Sequence, residues 1–216
     1  MYDEKIIMGY SNGRIMIASS PKKDHRMKFP IIAYGDPVLR RKAPSIEPGE
    51  YPHIKELVTN MFETMYAAKG VGLAAPQIGL SMRLFVVDAS GFDDEEPELK
   101  DFKKVFINAC ILEESGEEWA FNEGCLSIPD IREDVYRQPK VKMSYYDENW
   151  KHHEGTFAGL AARIIQHEYD HIEGKLFTDK LSPLRKRLIQ KRLNDISKGV
   201  VDVNYKMKFP AVKKGR

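Results

Sequence analysis

The segment His167-Glu168-Tyr169-Asp170-His171 constrains this chain more than any other. Two histidines four apart on a helix lie one turn above each other, so both imidazoles can reach one cation. Glu168 sits beside that edge, where a carboxylate can take a proton from cation-held water without being a ligand. The pattern predicts a helix from about 158 to 173, closed by Gly174. Leu160, Ala161, Ile164 and Ile165 put its apolar stripe on the side that carries His167, Glu168 and His171. Two imidazoles and a carboxylate on a buried face are costly unless paired or metal-bound.

A catalytic cation site also needs a third protein ligand and an open position. His171 is followed by Ile172-Glu173-Gly174-Lys175-Leu176-Phe177, so the third histidine of the longer H-E-x-x-H-x-x-G-x-x-H pattern is absent. A zinc endopeptidase reading would use Asp195 or Glu173 instead. Asp195 lies among Arg187, Lys191, Arg192 and Lys198, where a solvated salt-bridging role is more natural. The better candidate is Cys125, in Glu123-Gly124-Cys125-Leu126-Ser127, between two strand-like runs. The other cysteine is Cys110, and two cysteines make no disulfide framework. A reducing cytoplasm is the simpler setting.

The remaining periodicity indicates α+β: mostly antiparallel strands packed around a central metal-binding helix, with a basic helix towards the C-terminus. Ile54, Leu57, Val58, Met61, Phe62 and Met65 fall at helical spacing, and Gly70 is a natural stop. Strand-like runs lie at 83–88 and near 104–112, 117–122, 131–136, 139–146 and 150–155. Asp36-Pro37 reads as a cap and first position of a short helix. Ser182-Pro183 opens a third helix ending near Ser197. Three parts are expected: a disordered extension over 1–26, a catalytic domain over 27–181, and a basic helix and tail over 182–216. Met27 could be the start of translation. The N-terminus lacks an apolar secretory core. No stretch approaches the ~20 consecutive apolar residues of a membrane span. Met-Lys-Phe-Pro occurs at 27–30 and again at 207–210, too short to be a repeat.

Gly70-Val71-Gly72-Leu73-Ala74-Ala75 formally matches a dinucleotide fingerprint. That fingerprint must follow a strand and open a helix, whereas here a helix precedes it and Pro76 follows. The glycines are expected instead to let bare backbone approach an extended ligand, with the Gln77 amide at the end of the loop.

Taken together, Gly70-Val-Gly-Leu-Ala-Ala-Pro-Gln77, Glu123-Gly-Cys-Leu-Ser127 and Gln166-His-Glu-Tyr-Asp-His171 resemble peptide deformylases, over roughly 29–197. The resemblance implies hydrolysis of the N-formyl group from the initiator methionine of nascent polypeptides, with release of formate. It implies that Cys125, His167 and His171 hold one metal ion, natively Fe2+, with Ni2+ or Zn2+ able to substitute. A metal-bound hydroxide would attack the formyl carbon with Glu168 as general base. Gln77 and the Leu126 N–H would stabilise the oxyanion. The peptide would bind as an added strand beside Val71-Gly72 and residues 124–126, Gly124 among them. Val71, Phe121, Leu160 and Ile164 would line the methionine pocket. Arg137 would pair with Glu123, leaving Arg132 freer to meet the peptide. Two features depart from the family pattern. Phe157-Ala158-Gly159 lacks the small polar residue that many members place at the start of the metal helix, and the acidic run at 93–98 lengthens a loop.

The net charge of +2 hides an asymmetry. From 183 onward there are 11 Lys/Arg against Asp195 and Asp202, a balance of +9; the remainder, 23 basic against 30 acidic, carries −7. Leu184, Leu188, Ile189, Leu193 and Ile196 give the third helix an apolar stripe beside this charge. The expectation is docking on ribosomal RNA, which the resemblance supports. A purely RNA-binding module would explain this segment but not the metal helix.

Overall fold

In a strand running through the middle of a domain, every side chain must find a core, whichever way it points. Leu84, Phe85, Val86 and Val87 are all fully buried, and they place their strand between two apolar layers. The computed structural model describes residues 27–210 in full and the backbone of residues 7–11 and 14–18. Within the stretch expected to be a disordered extension, β1 (Ile7–Ser11) and β2 (Arg14–Ala18) pair as an antiparallel hairpin. The rest of 1–26, and the tail beyond 210, lie outside the described residues.

The chain continues through β3 (Ile31–Ile32), α1 (Ile54–Ala67), β4 (Gly72–Ala74), β5 (Leu84–Asp88) and β6 (Lys103–Ser115). Then come β7 (Trp119–Cys125), β8 (Ile128–Arg137), β9 (Lys140–Tyr146), β10 (His152–Ala158), α2 (Gly159–Ile172), α3 (Pro183–Ser197) and β11 (Met207–Lys208). The main sheet is antiparallel, in the order β10-β9-β6-β5-β4. Leu84 and Val86 face α1 through Val58, Met61 and Met65; Phe85 and Val87 face α2 through Ala161, Ile164 and Ile165. The hairpin β7-β8 forms a second layer over α2, and α3 covers its outer side.

This is the expected α+β architecture, with α2 in the middle. Three local features differ from the sequence reading. Gly72–Ala74, expected as a loop, pairs with β5 as the last strand of the sheet. β10 runs three residues beyond 155 and leads directly into α2, because Phe157 packs on the aromatic core. The segment after α3 is not only tail, since Met207 and Lys208 pair in parallel with Ile31 and Ile32. The short helix at Asp36-Pro37 is a single 3-10 turn, and the Asp36 carboxylate accepts the Val38 N–H at 2.9 Å.

The apolar stripe expected on α3 divides in two. Ile189, Leu193 and Ile196 are buried against Ile128, Ile131 and Val135 of β8, whereas Leu184 and Leu188 are 66% and 62% exposed. Arg185 donates to Glu133 of β8 at 2.7 Å, so part of the cationic surface is tied to the hairpin.

Candidate metal centre

The metal helix begins where no side chain of its own can cap it, because Ala158 occupies the cap position. The cap comes from elsewhere. Glu96, in the acidic run whose role the sequence left open, accepts the Leu160 N–H at 3.0 and 3.3 Å. A carboxylate there also offsets the positive end of the helix dipole. Gly159 has φ +57°, and a Cβ on it would lie 2.8 Å from a Glu96 oxygen. Glycine therefore serves both the turn and the cap.

One helical turn apart, His167 and His171 meet Cys125 from the end of β7. Their ligand atoms all lie within 4.8 Å of one another, the only such group among the described residues. The Cys125 Sγ is 3.3 Å from His171 Nε2. His167 Nδ1 bonds Glu123 Oε2 at 2.8 Å, which fixes the ring and leaves Nε2 for a cation. Burial alone would push the His167 pKa down. The hydrogen bonds to Cys125 and Glu123 override it and hold the imidazole protonated well above its ordinary range. Burial and the charge of His167 push His171 well below that range. One soft sulfur and two imidazole nitrogens make a donor set that fits a transition metal.

The expected partner of Glu123 is present. Arg137 donates to both carboxylate oxygens, at 2.7 and 3.0 Å. The sequence reading missed the rest of this buried cluster: Arg163 also donates to Glu123 at 3.0 Å, and Arg137 reaches Asp170 at 2.7 Å. Burial would raise the Glu123 carboxyl, but the bonds from His167 and Arg137 outweigh it and hold its pKa well below the carboxylate range.

Glu168 is buried, and its Oε2 has no hydrogen-bond partner among the described residues. Burial, only partly offset by the charge of His167, pushes its pKa up to about 7. A Cβ on Gly72 would lie 2.5 Å from Glu168 Oε1, so the glycine there makes room for the carboxylate. Gln77 is buried on the 3-10 turn after β4. Its oxygen accepts the Ala74 N–H at 2.8 Å, which turns its amide nitrogen towards Cys125 Sγ at 3.5 Å and Ser127 Oγ at 3.4 Å.

These groups open on a cavity of about 670 Å³. Gln77, Cys125, Leu126, His167 and Glu168 line it, together with Val71, Gly72, Phe121, Gly124, Arg132, Leu160 and Ile164. His171 alone of the expected site residues lies behind that surface. Arg132 is less free than expected, since its Nε donates to Asn122 Oδ1 at 2.9 Å. Glu173, the alternative ligand, is held by Arg83 at 2.6 Å and Lys42 at 3.0 Å instead. Asp202, Val203, Asn204 and Tyr205 also line the cavity and were not foreseen. Their signal was there to read: Val201, Val203, Tyr205, Met207 and Phe209 alternate with polar residues, a strand pattern.

A family model described as polypeptide deformylase matches residues 28–187. The chain is similar to a peptide deformylase of Christiangramia forsetii, 61% identical over 197 residues that cover 88% of this chain and 100% of that protein. One from Flavobacterium johnsoniae is 58% identical with the same coverage. The solved peptide deformylase of Thermus thermophilus superposes with a TM-score of 0.71 at 42% identity, covering 80% of this chain and 99% of that one. With the three motifs on one cavity and this match across the catalytic core, the chain belongs to the polypeptide deformylase family.

Proposed function

We propose that this enzyme removes the formyl group from the N-terminal methionine of nascent polypeptides and releases formate. The observation that carries the reading is the convergence of Cys125, His167 and His171 at the wall of one cavity, beside Glu168, whose Oε2 has no hydrogen-bond partner among the described residues. Those three residues would hold one divalent cation, natively ferrous iron, with nickel or zinc able to substitute; thiolate and imidazole donors suit all three. When bound, the cation supplies Lewis acidity and lets water act as a nucleophile at neutral pH.

Glu168 takes a proton from the water as its oxygen bonds to the formyl carbon. The same carboxyl returns a proton to the amine as the C–N bond breaks, and a pKa near neutrality suits both directions. The Gln77 amide and the Leu126 N–H stabilise the negative oxygen, each worth roughly 3 kcal/mol in comparable sites. The peptide pairs along the outer edge of β4 and beside residues 124–126. Val71, Phe121, Leu160 and Ile164 take the methionine side chain, and Arg132 reaches the peptide that follows. On α3, Arg187 and Lys191 have no partner among the described residues and flank the exposed Leu184 and Leu188, a surface suited to docking on ribosomal RNA.

Metal analysis of protein purified without oxygen, paired with an assay on formyl-Met-Ala-Ser, tests this reading. One ion per chain and release of formate are expected. A Cys125→Ser variant that keeps its metal and activity would overturn the ligand assignment.

A further inference from the structure

After α3 the chain turns back across the molecule. Val201, Val203, Tyr205, Met207 and Phe209 are half-buried, and the residues between them up to Lys208 are exposed. The far end is anchored by main-chain bonds: Ile31 N–H donates to the Lys206 carbonyl at 2.8 Å, and Ala33 N–H to the Lys208 carbonyl at 2.9 Å. Held there, the strap brings the Tyr205 side chain to the catalytic cavity, where its hydroxyl donates to the Leu126 carbonyl at 2.8 Å.

That carbonyl belongs to the two-residue turn that joins β7 to β8 directly after Cys125. The β7–β8 register shifts between Gly124 and Cys125, so the ladder is interrupted where the thiol sits. Three bonds from outside the hairpin hold the turn instead: Tyr205 on the Leu126 carbonyl, the Tyr34 N–H on the Ser127 carbonyl at 2.8 Å, and the longer Gln77 amide bond to Ser127 Oγ at 3.4 Å. Burial raises the Tyr205 phenol above its ordinary range, so it remains a donor at any working pH.

We propose that Tyr205 is a positioning residue for the deformylation reaction: through Leu126 it holds the turn that presents both the Cys125 sulfur and the Leu126 N–H. The proposal rests on the function assigned above. Its physical content is that one neutral hydrogen bond, made by a segment after the last helix, sets the geometry of a metal ligand and of the oxyanion donor. The methionine pocket lies on other walls of the cavity, so the effect belongs to turnover more than to binding.

Tyr205→Phe removes the hydroxyl and keeps the ring that packs beside Leu126. With formyl-Met-Ala-Ser, kcat should fall about two- to tenfold with KM unchanged, the worth of one hydrogen bond. Amide hydrogen exchange at 126–128 should accelerate while the thermal midpoint stays near that of the parent. Lys206→Ala, an exposed change on the same strap, should leave both readings at parental values. Parental kcat and exchange in Tyr205→Phe would overturn the proposal. A loss of kcat with a fall in thermal midpoint and faster exchange throughout would overturn it too, by assigning the tyrosine to folding. If the parent protein releases no formate, the functional reading fails, yet the exchange comparison still decides whether Tyr205 holds the turn.

Discussion

Helices α2 and α3 are almost equal in length, 14 and 15 residues, but their polar side chains live under opposite conditions. In α2 even Arg163, Gln166, Glu168 and Asp170 are buried, because the helix lies between the main sheet and the β7-β8 hairpin. In α3 only Ile189, Leu193 and Ile196 are buried, and most of its charged side chains are exposed, with Arg185 tied to Glu133 of β8. The caps show the same contrast. The Ser182 hydroxyl caps α3 from the adjoining residue, accepting the Arg185 N–H at 3.3 Å, whereas α2 is capped by Glu96, 64 residues away. A charge in water needs no partner, but a buried one must be given partners by the fold. The functional consequence is that α2 can hold reactive groups at shifted pKa values while α3 can only present a surface.

The largest effect expected from this contrast is on turnover. Glu168→Gln keeps the shape of the side chain but cannot carry the proton, so kcat should fall by roughly 10²–10⁴-fold with the metal retained. Parental kcat in that variant would remove the general-base role and reduce α2 to a scaffold.

Next comes stability within the buried cluster. Arg137→Met leaves Glu123 and Asp170 without their shared cation, which should cost about 3–5 kcal/mol in denaturant unfolding. A cost below about 1 kcal/mol would mean that water enters the cluster and that α2 is less enclosed than its geometry implies. The same cluster sets a pH dependence. The Glu123 pKa is depressed in the folded chain, so the native state binds fewer protons there than the unfolded one. Its contribution is therefore complete above the unfolded value of about 4.3 and is lost as pH falls below it. Acid titrations of stability should show that slope in the parent and a weaker one in Arg137→Met.

On α3 the contrast can be tested between two leucines one turn and a residue apart. Leu193→Ala should cost about 2–4 kcal/mol, because it opens a cavity against β8. Leu188→Ala should stay within about 0.5 kcal/mol. Equal costs would show that Leu188 is covered by something. The smallest effect is expected from reversing Arg187 and Lys191 together to Glu: stability within about 0.5 kcal/mol, with formyl-peptide hydrolysis unchanged. Ribosome binding, measured by co-sedimentation, should weaken, and the parent's affinity should fall with added salt. Unaltered binding would remove α3 as the docking surface.

Much of this molecule was legible before any coordinates. The helix carrying His167 and His171, the strands from 83 to 155 and the third helix are signalled by periodicity and by Gly or Pro punctuation, which are local properties. Cys125 stood out beside the metal helix as the better candidate for third ligand, and the family resemblance then assigned it across its wide separation from the histidines. β4 has three residues, the first of them a glycine, and Gly70 lies two residues before it, so no alternation could announce it. The strap at 201–209 did alternate, but its position after a basic helix made it read as tail.

By itself, then, the sequence determined the three helices and most of the strands, the spacing that lets two imidazoles share a cation, and the unequal division of charge between body and C-terminal segment. Tertiary structure alone decided that Glu123 would orient His167 across 44 residues, that Arg163 would join Arg137 on that carboxylate, that Glu96 would cap α2, and that Tyr205 would reach Leu126 across 79. The reason is physical. A helical or strand period fixes which side chains share a face within a few residues. Which buried charge meets which donor depends on how whole layers pack, and burial enforces that choice only after packing has removed the water.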